Sequence, residues 1–191
     1  MKKKSLWITL AVIVAVIAII AGSLASSYNK FVDMEEKVDK AHSNISIYLQ
    51  RRADLIPNFV NTVKGYSDYE QKTYTAVTEA RSAVSKASGV EEQAKASAQL
   101  DSAIDIWVNA VTEAYPELKA NEQYLALQDE LAGSENRLAT ARNDYNKAAK
   151  EYNTSIRKFP ANIAASVFGF EKVDYFESDE SASKVPTVDF S

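Results

Sequence analysis

The amino-acid sequence predicts an all-α chain: an N-terminal transmembrane helix, then an antiparallel up-and-down four-helix bundle with long helices, and an irregular C-terminal tail. Three observations carry this. Residues Leu6 to Ala25 form one uncharged apolar run. Apolar side chains recur at alternating three- and four-residue steps over most of the remaining chain. Five glycines and four prolines in 191 residues leave few helix breakers.

The apolar run, residues 6–25, is twenty residues long. As a helix it rises roughly 30 Å, the thickness of a bilayer's hydrocarbon core, and satisfies its own backbone hydrogen bonds there. Lys2, Lys3 and Lys4 precede it, and the first carboxylate after it is Asp33. Positive charge favours the cytoplasmic side, so residues 1–5 read as a basic cytoplasmic flank. The expectation is a single pass of the cell membrane with the bundle extracytoplasmic. The alternative is a cleavable signal peptide, since Ser23-Leu24-Ala25 places small residues before a possible cut. An apolar stretch beyond the usual length of a signal core, about 7–15 residues, favours the anchor.

The bundle is expected over residues 28–159, in four segments. In the first, 28–54, Phe31, Met34, Val38, Ala41, Ile45 and Leu49 form a heptad-like stripe, and no breaker separates it from the apolar run. Anchor and first helix therefore read as one continuous helix. Pro57 is expected to end it, because an interior proline loses a hydrogen bond and clashes with the preceding turn. A rival break lies at Gly65, where Ser67-Asp68-Tyr69-Glu70 fits a capping box. Breaking at Pro57 yields segments of more equal length and is preferred.

The second segment, 58–87, carries Phe59, Val63, Tyr66, Thr73, Val77, Ala80 and Val84, and ends at Ser88-Gly89. The third, 91–115, carries Leu100, Ile104, Trp107, Val111 and Ala114 and stops at Pro116. The fourth, 120–159, carries Tyr124, Leu127, Leu131, Leu138, Tyr145, Tyr152, Ile156 and Phe159, and ends at Pro160. Four amphipathic helices with short connections form an antiparallel bundle. In the tail, 160–191, one short helix is expected near Ala161–Val167. Irregular, partly disordered chain should come after it.

Composition narrows function. Beyond the N-terminal lysines, 19 basic residues face 26 acidic ones, a formal charge of −7. That opposes nucleic-acid binding, which needs a basic stripe. Cysteine is absent, which excludes disulfides, thiolate metal sites and a lipid-modified cysteine. No metalloprotease HExxH, glycine-rich phosphate loop or nucleophile elbow occurs, and His42 is the only histidine. No enzyme activity, cofactor or metal site is expected, and His42 reads as a surface or edge residue.

Three features invite a closer reading. Arg51, Arg52, Glu70, Glu79, Arg81, Glu135, Arg137, Arg142 and Arg157 fall on or beside the apolar stripes. A charge near a core must be paired or solvated, so these read as structural ion pairs. Tyr-Asn occurs at 145–146 and again at 152–153, one heptad apart. Core tyrosines with register-setting asparagines is the preferred reading, and a partner-binding ladder the alternative. Pro160 to Phe170 carries no charge over eleven residues. Its Ile163, Val167, Phe168 and Phe170 either cap the bundle end or touch the membrane or a membrane partner. If helix one leaves the bilayer, helix four returns to it.

The strings RRADLIPNFVNTVKGY, TEAR, AYPELKAN, LQDEL, SENRLATARNDYN, YNTSIRKFPANIAA, FGF and YFE, in order from about Tyr28 to Phe190, closely resemble the LemA family of bacterial membrane proteins. The resemblance implies an N-terminal anchor followed by an antiparallel helical bundle, and brings no catalytic residue or cofactor. It also implies a bacterial-envelope setting, since family members often sit genomically beside an HtpX-type membrane protease, and a magnetosome branch points to membrane organisation. Asn58-Phe59 stands where Asn-Leu is usual. Ser67-Asp68-Tyr69-Glu70 replaces a small residue followed by His-Glu, which removes a histidine a metal site could use. The expected role is a scaffold or interaction module holding an acidic helical face at a fixed height above the bilayer. Its partner would be an unknown membrane protein or a second copy. The alternative is an accessory to an HtpX-type protease in envelope quality control.

Overall fold

The computed structural model describes residues 2–64 and 71–176. Among them are five α-helices and no strand: α1 (Lys2–Lys64), α2 (Gln71–Lys86), α3 (Val90–Ala114), α4 (Glu122–Arg157) and α5 (Ala161–Phe168). The chain divides into two compact units. One comprises Met1–Lys40 and Lys147–Val173, the other Ala41–Asn146 and Asp174–Ser191.

The second unit is the four-helix bundle. Its core is drawn from each helix at the three/four spacing, with Ile45, Leu49, Ile56 and Phe59 from α1, Val77 and Val84 from α2, Leu100, Ile104 and Trp107 from α3, and Tyr124, Leu131 and Leu138 from α4. Burying each large side chain contributes about 1.5–3 kcal/mol, which sets the stripes inward. Cross-helix pairs show the direction of each helix. Ser46, Arg52 and Phe59 of α1 meet Gln93, Asp101 and Trp107 of α3 in ascending order. Against α4, the α1 residues His42, Arg51 and Phe59 meet Tyr145, Glu130 and Tyr124 in descending order. Helices one and three therefore run parallel, and four runs against both, as in an up-and-down bundle. The rings of Phe59, Trp107 and Tyr124 lock one end of this core at centroid separations of 5.0–5.1 Å.

The ends of α3 and α4 are capped locally. The Glu92 carboxylate accepts from the Ser88 backbone N–H (2.9 Å), and the Asn121 Oδ1 accepts from the Tyr124 N–H (3.0 Å). A 3-10 turn, Pro116–Ala120, joins α3 to α4 and buries Leu118.

The first unit packs residues of α1 with the end of α4 and with α5. Phe31, Val38, Tyr152, Ile156, Ala164 and Ala165 are buried. Gly169 ends α5 in the left-handed region at φ +76°, where an L side chain would be strained, and the Phe170 N–H reaches the Ala165 carbonyl. In the apolar run, Trp7, Ile8, Ile13, Ile17 and Ile20 are all at least half exposed. This part of α1 is long and apolar enough to cross a membrane, and none of its most apolar window is covered by the rest of the chain.

Several expectations need correction. Helix one does not end at Pro57: α1 continues past it to Lys64. The penalty of an interior proline is offset, because the carbonyl it orphans, that of Ala53, accepts a hydrogen bond from Arg81 Nε at 3.0 Å. The preference for equal lengths also fails, since α1 and α4 are much longer than α2 and α3, and residues around Phe31–Val38 of α1 pack with the end of α4 and α5 in the first unit. Phe159, expected in the core stripe, is 83% exposed, because α4 ends at Arg157 and the residue falls in the turn before α5. Ala114 is likewise exposed. The short helix expected near Ala161–Val167 is α5. Tyr66, the capping box at 67–70 and the distal tail lie outside the described residues.

Candidate functional site

Two arrangements stand apart from ordinary core packing. The first is a ring of alternating charge inside the bundle, built from Arg52 of α1, Asp101 of α3, and Glu135 and Arg142 of α4. Arg52 is almost fully buried and pairs with Asp101 at 2.9 Å and with Glu135. Arg142 pairs with Asp101 at 3.5 Å and Glu135 at 3.7 Å. It also donates to the buried Ser97 hydroxyl and lies over the Phe176 ring, 5.3 Å from its centre.

The helix periodicity puts these groups at one level. Asp101 is four residues after Ser97 and three before Ile104, both buried, and Arg142 is four after Leu138 and three before Tyr145. Two guanidinium groups and two carboxylates sum to zero, as burial requires. Burial raises the Asp101 pKa above its ordinary value, and Asp105 adds to this, while Arg52 and Arg142 pull it down. Burial likewise lowers the Arg52 pKa, against the opposing pull of Asp101 and Asp105. The ring ties three helices together and spends each carboxylate on a guanidinium. Among the described residues no group of three or more His, Asp or Glu side chains is arranged to hold a metal ion.

The remaining expected polar residues divide. Arg51 and Arg137 share Glu130, at 2.7 and 3.6 Å. Among the described residues, Arg81 bonds a backbone carbonyl and no acid. Glu79 and Arg157 are exposed, with no ion-pair partner among the described residues. Glu70 lies outside them. Asp101, Ser97 and Glu130 are partners that the apolar stripes by themselves do not reveal. The criterion that marks Arg142, a polar residue three or four positions from stripe residues, also marks Asp101. His42 is half-buried and packs against Tyr145 at 5.8 Å.

The Tyr-Asn repeat receives the chain's own tail. Tyr145 and Tyr152 are buried. In the bundle unit, the Asn146 amide donates to the Phe176 carbonyl (2.9 Å) and accepts from its N–H (2.8 Å), and Tyr145 donates to the Asp174 carbonyl (2.7 Å). In the other unit, Asn153 makes the same two-way pair with Val173, at 2.8 and 3.0 Å. Each carboxamide thus supplies the N–H and C=O that a neighbouring strand would.

The second arrangement is α5. It buries only Ala164 and Ala165, whereas Ile163, Val167 and Phe168 are 52%, 65% and 44% exposed. Phe170 is half-buried. The rings of Phe168 and Phe170 lie edge-on to Tyr28, at 5.0 and 5.6 Å, and Phe170 also meets Phe31 at 5.2 Å. Of the four apolar residues marked on this segment, Phe170 joins the packing, while Ile163, Val167 and much of Phe168 stay outside it.

Comparison with known proteins gives a consistent picture. The model of the LemA family matches residues 41–190. Magnetosome protein MamQ 2 of Paramagnetospirillum magneticum is 28% identical over 201 residues, covering 92% of this chain and 73% of the relative. Magnetosome protein MamQ of Magnetospirillum gryphiswaldense is 26% identical, covering 95% and 76%. Protein LemA of Metamycoplasma hominis is 26% identical over 155 residues, covering 80% and 69%.

Proposed function

The chain belongs to the LemA family, and from that membership and its geometry we propose that it is a single-pass membrane protein whose helical bundle serves as a non-catalytic interaction module. The observation that carries this reading is the continuity of α1, which runs without a break from the exposed apolar residues near its start to Lys64 in the bundle. The three-lysine flank supports a cytoplasmic N-terminus and an extracytoplasmic bundle. The bundle's charge ring is spent on its own structure. Relatives named as magnetosome proteins fit a role in a membrane-associated assembly.

Lysine-directed crosslinking in native membranes, followed by mass spectrometry, tests the proposal. The expected result is a small, reproducible set of crosslinks from bundle lysines to membrane proteins or to a second copy. Dominant crosslinks to a membrane protease would make the protein an accessory to that enzyme. Absence of any intermolecular crosslink above that of an abundant unrelated membrane protein would remove the interaction role.

A further inference from the structure

We infer that α5 is a second membrane-contact element, which seats its Ile163–Val167 face in the interface of the same bilayer that α1 crosses. The inference rests on the anchor proposed above.

The packing of α5 is inverted. An amphipathic helix ordinarily turns its large apolar side chains inward and its small or polar ones outward. Here the two alanines are buried, and Ile163 and Val167, four residues apart and so on one face, point away from the protein. Phe159, in the turn just before the helix, is also exposed, as is much of Phe168. No charge interrupts Pro160 to Phe170. A cluster of this kind marks a contact that the isolated chain does not make.

Its position selects the bilayer. Tyr28 lies three residues past the end of the apolar run, a rise of about 4.5 Å along α1. Its ring touches both Phe168 and Phe170, within the same compact unit, so the end of α5 sits at the level where the apolar run meets water. Tyrosine at that level matches the aromatic belt of membrane proteins. The flanking charges agree: Arg157 and Lys158 before the segment and Lys172 after it are exposed, against Glu171 and Asp174. In an otherwise acidic chain this gives a local net positive charge facing lipid phosphates. Size argues against a protein occupant. A face about 12 Å long on a helix about 10 Å wide covers on the order of 120 Å², far short of the roughly 800 Å² per partner of a specific interface, whereas a bilayer needs no matching shape.

The chain has no cysteine, so single-cysteine variants of the full protein can carry a fluorophore at chosen positions. Ile163→Cys and Val167→Cys report on α5. Ile13→Cys reports on the bilayer interior, and Ser43→Cys, about 27 Å of helix beyond Ala25, reports on solvent. Each is reconstituted into phosphatidylcholine vesicles with and without lipid brominated near the glycerol end of its acyl chains. The expected result is strong loss of emission at Ile163 and Val167, approaching that at Ile13, and none at Ser43. Labels on α5 that stay unquenched and solvent-like while Ile13 is quenched would overturn the inference and leave the anchor standing. Blue-shifted but unquenched α5 labels would assign the face to a second copy and also overturn it. An unquenched Ile13 would remove the anchor, and the inference with it.

Discussion

The Arg81 guanidinium donates from Nε to the backbone carbonyl of Ala53, 3.0 Å away, and that carbonyl is the one Pro57 leaves without its helical partner. A side chain of α2 thus replaces a missing bond inside α1. Ala53 is fully buried, so an unsatisfied carbonyl there would cost about 1–3 kcal/mol.

Arg81→Met is expected to destabilise the bundle by about 1–3 kcal/mol. In a Pro57→Ala background, where the new N–H can bond the Ala53 carbonyl, the same change should cost about 1 kcal/mol less. Urea unfolding in detergent, followed by Trp107 emission in a Trp7→Phe chain, measures both. Strict additivity would break the link between proline and arginine.

The charge ring yields a second expectation. Arg52→Met leaves Asp101 and Glu135 with Arg142 alone. Removing one partner of a fully buried pair costs about 3–5 kcal/mol, and because the carboxylates are 27% and 37% exposed the expected loss is nearer about 2–3 kcal/mol. The same unfolding experiment measures it. A loss no larger than that of Arg51→Met, whose pair is on the surface, would show that the ring contributes no more than a surface contact.

Asp101 sets a pH dependence. Burial raises its native pKa above the ordinary 3.8, so between those values the native state binds more protons than the unfolded chain. Its contribution to stability is therefore present below 3.8 and lost as pH rises through the native value. Asp101→Asn keeps a neutral group in place and removes this slope. The stability of the parent relative to Asp101→Asn should fall as the pH of unfolding is raised from about 3 to 6. A difference that moves in the parent's favour would mean that the arginines outweigh burial.

The two repeated tyrosines should behave differently. Tyr145→Phe loses the bond to the Asp174 carbonyl and should cost about 0.5–1.5 kcal/mol. The Tyr152 hydroxyl is buried with no partner among the described residues, and burial, with Glu35, Asp39 and Glu171 nearby, raises its pKa. Tyr152→Phe removes an unsatisfied group and should be neutral or stabilising. Thermal unfolding of both variants decides it, and a larger loss at Tyr152 would mean that its hydroxyl has a partner.

These cases show what is legible in the sequence. The bundle's stripes follow from periodicity, because burial of apolar area is a one-dimensional signal once the helix period is known, and the apolar run follows from its uncharged length. Pro57 misleads because its penalty is local, whereas the arginine that offsets it is 28 residues away from the carbonyl it serves. Arg52, Asp101, Glu135 and Arg142 can all be marked as needing partners, but which of them pair depends on the register between helices, which no single stripe encodes. Asn146 and Asn153 read as register-setting from their heptad spacing alone. That they clasp the tail depends on where the chain goes after Gly169, which local propensity does not contain.

If residues 6–25 cross a bilayer with the N-terminus cytoplasmic, Ser5 and Ser43 lie on opposite sides of it. A membrane-impermeant maleimide applied to cells expressing Ser5→Cys or Ser43→Cys decides this. Ser43→Cys should react in intact cells, across a permeable outer layer where one is present, and Ser5→Cys only once the cell membrane is opened. Both positions reacting from the same side would contradict it.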